Sequence, residues 1–561
     1  MVKLGSALSL RRPLDIWYKP GLSAVVAAAV PQLILLLAFD RLDLAAFTTA
    51  GAMCALYAHG LPYAARARTM SWVGAGMIAG AGLGLVAGAL IHSAAALILV
   101  ISLIAAIQKL VCDATRIGPP GNVVFTFITA GFAFQAVPLG AVPFHCGLVV
   151  LGAALAWVVT MAPAVVRPRG PQRIAVARAL EAGARHLAAR PEERARTRHA
   201  TASAINDAWH TLFLVPDRDP AKEASRAHLE QLLVHAESVL AHTPASADSA
   251  PDPRGLRRLA RALRRNRPLP ELPPGPAGRR ELAGIAAERA TQRYPGPGTR
   301  RGLRLVVDAF RPGSPLLPIG ARLLIGATAA GWICLALGIG HPYWAVVTAA
   351  SVFQANLSLS WSRALQRAVG NFLGLACFTV LLPVTRSGDF GLLAVLWLCV
   401  IGAEALVSRN YWAGTVCVTQ QALLLTEFGG YRPALPMITD RWICTCIGVV
   451  VGVAVTMAVG NWRAAGRMEA ALRQVQQAQA AAEHALRTPA LLGGGLPEAS
   501  WARDRLSDAL VELRDATEVA SGEWWQRALP SERITEAERS GHQALASLVR
   551  RLAAARPAVA A

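Results

Sequence analysis

Ionisable side chains inside long apolar runs are the residues here that could do chemistry, because hydrocarbon makes each of them costly to keep. Glu404 lies in the apolar run 389–407. Its carboxyl either titrates there, with burial favouring the protonated form, or pairs with Arg409 just over one helical turn on. Lys109, beside Gln108, and Arg322 lie near the ends of two further runs, where they either meet an anion or snorkel to headgroups. Glu427, near an outer helix end, is expected to be wet. Such groups suit a site that holds a small carboxylic acid at membrane depth and passes a proton.

The uncharged polar residues point to the same chemistry. The run 343–357 is short, follows Pro342 and carries Thr348, Ser351, Gln354 and Asn356. Steps of three keep the first three on adjoining parts of one helix surface. The run 44–58, with Thr48 and Thr49, occupies the corresponding place in the first half, and Gln420 with Gln421 add a polar pair in 411–428. Short spans in corresponding halves point to a transporter's binding site; polar glue between helices is the alternative.

Other chemistries lack a motif. There is no Gly-x-x-x-x-Gly-Lys-Ser/Thr loop and no His-Glu-x-x-His, so ATP drive within the chain and an enzyme activity have no support, and no cofactor or metal is expected. The nine cysteines lie in or at the edge of apolar runs without metal-ligand spacing and read as small buried thiols.

The elements that must position these groups follow from composition. With 561 residues, 54% hydrophobic and 16% charged, the chain is too apolar for one large soluble domain and reads as an all-α integral membrane protein. Apolar runs at 21–39, 44–58, 70–91, 93–111, 122–138 and 143–163 make a first set of six spans. Runs at 319–338, 343–357, 365–383, 389–407, 411–428 and 441–460 make a second. Basic residues crowd alternate loops (Arg66 with Arg68, Lys109 with Arg116, Arg363 with Arg367), which sets both termini in the cytoplasm and Arg363 and Arg367 in a cytoplasmic turn. Gly370 and Gly374 then allow close helix approach.

The organisation is a basic arm (1–19), a six-helix block (20–163), a helical cytoplasmic region (164–318), a second six-helix block (319–460) and C-terminal cytoplasmic helices (461–561). Shifting by 300 residues brings Thr48 onto Thr348, Gly74 onto Gly374 and Gly152 onto Gly452. Six spans is an even number, so both blocks enter from one side and form about 12 helices as two parallel repeats. Region 164–318 carries 27 Lys plus Arg against 15 Asp plus Glu, and its sharpest feature is RGLRRLARALRRNR at 254–267. Tethered between two membrane blocks, that run suits a solvated face or anionic lipid headgroups rather than nucleic acid. Helical stretches are expected at 172–190, 221–243, 463–486 and 535–555, with Pro-rich linkers at 244–253 and 266–278.

Several segments resemble the fusaric acid resistance and aromatic acid exporter family of bacterial membrane proteins. They are PYWAVVTAA (342–350) with RAVGNFLG (367–374), RNYWAGTVCVTQQALLL (409–425) and DRWICTCIGVVVGVAV (440–455). Asn371 stands where the family has Thr, and Asp440-Arg441 replaces its Arg-x-x-Asp order. The resemblance implies export of aromatic or other small organic acids across the bacterial inner membrane, proton-driven, in some members with a periplasmic adaptor. It also implies similarity to plant malate channels whose single six-helix block dimerises, so that this chain would be a fused dimer. Two other functions stay open: a passive anion channel of the same fold, and a membrane scaffold that binds lipid or a partner.

Overall fold

The computed structural model describes residues 10, 16–214, 220–241, 252–268, 303–314, 316–354, 357–459, 463–487, 495–521 and 531–554. Asn356, most of the amino-terminal arm and most of both Pro-rich linkers lie outside them. The described residues form helices and no strand.

Six apolar helices come first: α1 (Tyr18–Phe39), α2 (Ala45–Ala52, flanked by short 3-10 turns), α3 (Tyr63–Leu90), α4 (Ala94–Thr115), α5 (Val123–Ala133) and α6 (Val142–Met161). Four amphipathic helices follow: α7 (Gly170–Leu187), α8 (Arg194–Phe213), α9 (Pro220–Ala241) and α10 (Pro253–Arg264). Then come six more apolar helices, α11 (Leu317–Ala336), α12 (Tyr343–Val352), α13 (Leu357–Thr385), α14 (Asp389–Val407), α15 (Tyr411–Leu424) and α16 (Ala434–Ala458). The chain closes with α17 (Arg463–Arg487), α18 (Gly495–Ser521) and α19 (Ser531–Ala554).

Eight of the apolar helices are long and apolar enough to cross a membrane; α2, α5, α12 and α15 are shorter than the spans expected from the sequence. The reason is burial. All ten residues of α12 are buried, so about 15 Å of helix suffices where protein, and not lipid, surrounds it.

The sequence also misplaces one boundary. Arg363 and Arg367 do not form a turn, because α13 begins at Leu357 and carries both. Glu427 is not wet: its side chain is fully buried and accepts a hydrogen bond from Arg386 Nη2 at 3.0 Å.

Close contacts between backbones set the helix pairs. A Cβ on Gly152 of α6 would stand 2.0 Å from Thr48 O of α2, so the two helices touch backbone to backbone. In the first block α2 and α6 pack on α1 and on each other, α3 packs on α6 and α5, and α5 packs on α4. The same pairings hold for α12 and α16 on α11, α13 on α16 and α15, and α15 on α14. Between blocks, α1 lies against α14 and α11 against α4. One apolar core runs across both, from Ile98 and Ile101 to Trp344 and Leu393.

Outside the apolar helices, α7–α10 share one core that includes Leu180, Trp209 and Leu232, and α17–α19 share another built on Val475, Leu506 and Leu513. The arginine run lies on α10, capped by Asp252, whose carboxylate accepts from Arg254 N and Gly255 N, both at 2.9 Å. Leu256, Ala260 and Leu263 are buried and Arg264 pairs with Glu181 at 2.7 Å, while Arg254, Arg257, Arg258 and Arg261 stay exposed.

Candidate functional site

A cavity of about 1070 Å³ lies between the two blocks. Its lining includes Asp43, Gln135, His341 and Arg432, from the connections that follow α1, α5, α11 and α15, and also Arg116, Gln354 and Arg467, which lie beyond α4, α12 and α16. Consecutive helices on short connections run antiparallel, so the cavity reaches from one end of the bundle towards the other.

Three of the lining arginines lie within the apolar helices. Arg363 and Arg367 sit one turn apart on α13, and Arg441 lies on α16. Arg367 and Arg441 are 2% and 1% exposed, a degree of burial that guanidinium groups reach only where something offsets desolvation. Tyr411 offsets part of it: its ring lies 3.5 Å from the Arg363 guanidinium carbon, and its hydroxyl accepts from Arg367 Nη1 at 3.4 Å. Arg441 lies 5.2 Å from the centroid of Trp344, within cation–π range. Even so, Nε of all three and Nη1 of Arg441 are buried without a hydrogen-bond partner among the described residues. Unpaired N–H groups on residues that line a cavity can be satisfied by an anion, since an unmade charged hydrogen bond is costly.

The rest of the wall is aromatic and apolar. Phe134 of the first block stacks on Tyr343 of the second with centroids 5.3 Å apart, and Phe47 lies 4.7 Å from Phe132. All four rings line the cavity. Cations beside ring-lined walls suit a molecule with a carboxylate at one end and an aromatic or aliphatic body.

The residues singled out from sequence divide into two groups. Thr49, Ser351, Gln354, Gln421, Glu404 and Lys109 line the cavity. The Thr49 hydroxyl accepts from Gln32 Nε2 at 2.8 Å, and Gln32 Oε1 in turn accepts from Trp397 Nε1 at 2.6 Å, a chain that ties α14 to α2 through α1. Ser351 donates to Thr348 O at 2.7 Å, Gln421 to Cys399 O at 2.9 Å, and Lys109 to Asp113 at 2.9 Å. Among the described residues no ion pair joins Glu404 to Arg409.

Thr48, Thr348, Gln420 and Arg322 are buried away from the cavity. Thr48 donates to Ala45 O at 3.0 Å, Gln420 reaches Gly374 O on α13, and Arg322 reaches Val459 O just beyond α16. Thr348 packs under Gly448, where a Cβ would come within 2.8 Å of it.

Sequence reading overlooked Arg363, Arg367, Arg441 and Tyr411 as site residues. Arg441 carried a usable signal: it is a cation within a helix that is otherwise apolar over two turns on either side except for Asp440 and neighbouring threonines.

Residues 328–455 match the family model described as fusaric acid resistance protein-like. A stretch of 145 residues, 25% of this chain and 19% of the relative, is 26% identical to the uncharacterized protein slr1298 of Synechocystis sp.. A stretch of 250 residues, 44% of this chain and 38% of the relative, is 27% identical to the uncharacterized membrane protein YvaC of Bacillus subtilis. No solved structure matches.

Proposed function

As a multi-pass membrane protein of the fusaric acid resistance-like family, the chain is, we propose, a secondary exporter of small organic acids, aromatic ones among them. The observation that carries this reading is the set of buried, incompletely hydrogen-bonded arginines on a ring-lined cavity between the blocks. In this account the carboxylate docks on Arg441 and the Arg363–Arg367 pair, and the apolar body lies against Phe134, Tyr343 and Phe132.

The architecture proposed is twelve helices as two parallel six-helix repeats, 20–163 and 319–460, with 164–318, 461–561 and both termini in the cytoplasm of a bacterial inner membrane. Support comes from the matching helix pairings and from the reciprocal contacts of α1 with α14 and α11 with α4, as a pseudo-two-fold axis would give. The site itself is not duplicated: under the shift of 300, Arg441 falls on Ala141 and Arg367 on Ala67. One asymmetric site between two like blocks is the result.

Proton drive belongs to the proposal, with Glu404 on the cavity wall as its carrier. A passive anion path is the second reading, favoured by the reach of the cavity toward both ends. Flux of aromatic acids into proteoliposomes, with and without a pH gradient, separates them. Gradient-driven flux that fails in Glu404→Gln supports the exporter. Flux indifferent to the gradient and to that substitution supports the passive path, and no flux for any anion contradicts both.

A further inference from the structure

At the His341 end of the cavity, two groups share one indole. His341 stacks on Trp344 with centroids 4.4 Å apart and planes 13° from parallel, and the Arg441 guanidinium carbon lies 5.2 Å from the same ring's centroid. Trp344 is completely buried, so both groups rest on one ring set in the core. His341 Nδ1 stands 2.8 Å from Asp440 Oδ2, with the two side chains 20% and 19% exposed. His341 and Arg441 both line the cavity.

We infer that His341 and Asp440 form a proton-binding pair that sets the affinity of Arg441 for an organic anion. The inference rests on the reading of the cavity as an organic-acid site. An ionised Asp440 accepts the Nδ1 proton of His341, which fixes the tautomer and leaves Nε2 to take up a proton. With His341 neutral the pair carries one negative charge and offsets Arg441. A proton moving from water onto Nε2 gives an imidazolium beside the carboxylate, a pair of zero net charge, and the charge on Arg441 is then uncompensated. At this end of the cavity proton and anion therefore strengthen each other's binding by linkage, an effect on affinity that is separate from the proton carried by Glu404.

The titratable and charged groups facing His341 are Asp440 and Arg441 on α16, Cys444 on the same helix with its Sγ 3.5 Å from His341 O, and Tyr343 on α12 with ring centroids 6.2 Å apart. Arg432 lines the same end of the cavity. Asp440 supplies the carboxylate in this group, so the pair, and not a diffuse field, carries the sign.

The test is the affinity of the full-length protein in detergent for benzenesulfonate, an aromatic anion whose charge does not change with pH, by titration calorimetry. Unmodified protein is expected to lose about threefold to tenfold in affinity from about pH 5.5 to about pH 8.5, for one unit charge acting through partly screened protein. Asp440→Asn removes the offsetting charge and should bind tightly throughout, whereas His341→Gln keeps it and should bind weakly throughout. Misfolding cannot produce those opposite outcomes. Binding with no pH dependence, or a dependence that survives both substitutions, overturns the pair's role and leaves the organic-acid site standing. No binding at any pH overturns the organic-acid site as well.

Discussion

Arg441 shows what a single residue can decide in this protein. A guanidinium 1% exposed, with two nitrogens lacking a partner among the described residues, stores binding capacity. Arg441→Gln and Arg367→Gln should each weaken benzenesulfonate binding about tenfold to a hundredfold, the worth of a charge-assisted hydrogen bond, while the unfolding temperature in detergent holds or rises. Arg322 gives the opposite prediction. It is equally buried but spends its Nε on Val459 O outside the cavity, so Arg322→Gln should lower the unfolding temperature and leave the affinity of folded protein unchanged. Sequence alone could not separate these arginines. Arg322 and Arg441 each stand beside an apolar run, and only the helix faces that α11 and α16 present to their neighbours tell an anchor from a ligand.

At the scale of elements, the long helices were legible because apolar runs of about 20 residues have one reading in a bilayer. The short ones were legible as places and not as lengths. The sequence puts a span at 343–357, and α12 occupies only Tyr343–Val352, since a helix walled by protein owes nothing to bilayer thickness. The polar residues of that stretch also divide by face: Ser351 lines the cavity, while Thr348 meets α16. Backbone contact between α2 and α6 yields a prediction of its own. Gly152→Leu places a side chain where Thr48 O already stands, and should cost about 1–3 kcal/mol of overpacking or more, read as a lowered unfolding temperature in detergent. Unchanged stability would mean that α2 and α6 lie farther apart.

Across the whole molecule, the C-terminal helices are tied to the mouth of the cavity. Glu512 of α18 accepts from Arg116 at 3.2 Å and from Arg467 at 3.0 Å, and both arginines line the cavity. One carboxylate thus bridges the α4–α5 connection of the first block and the helix that leaves the second. Glu512→Gln should loosen that bridge and raise the rate of anion flux in proteoliposomes, with binding affinity unchanged; flux equal to the unmodified protein would show that the bridge does not restrain the mouth. A second tie joins α8 to α18, where the Asp508 carboxylate 3.2 Å from His210 holds that imidazole above its usual value. A raised value stabilises the folded form on the acid side, and this contribution fades as pH rises through it. Both side chains are more than half exposed, so the difference in unfolding temperature between unmodified protein and His210→Gln should be small, present in full below about pH 6 and gone by about pH 8.5. Nothing in the sequence pointed to either tie, since Arg116 and Glu512 are 396 residues apart and His210 and Asp508 are 298 apart, and such separations carry no periodic signal.

The central claim, that the arginine-lined cavity between the blocks binds and moves an organic anion, is tested most directly by counterflow of radiolabelled benzenesulfonate in proteoliposomes. The permanently charged probe removes leakage of a neutral acid through lipid, and preloading removes the need for a driving gradient. Exchange well above protein-free vesicles, abolished by Arg441→Gln and retained by Arg254→Gln on the exposed face of α10, is the result predicted. Exchange that persists unchanged in Arg441→Gln, or none for unmodified protein that is folded and correctly inserted, would contradict the account.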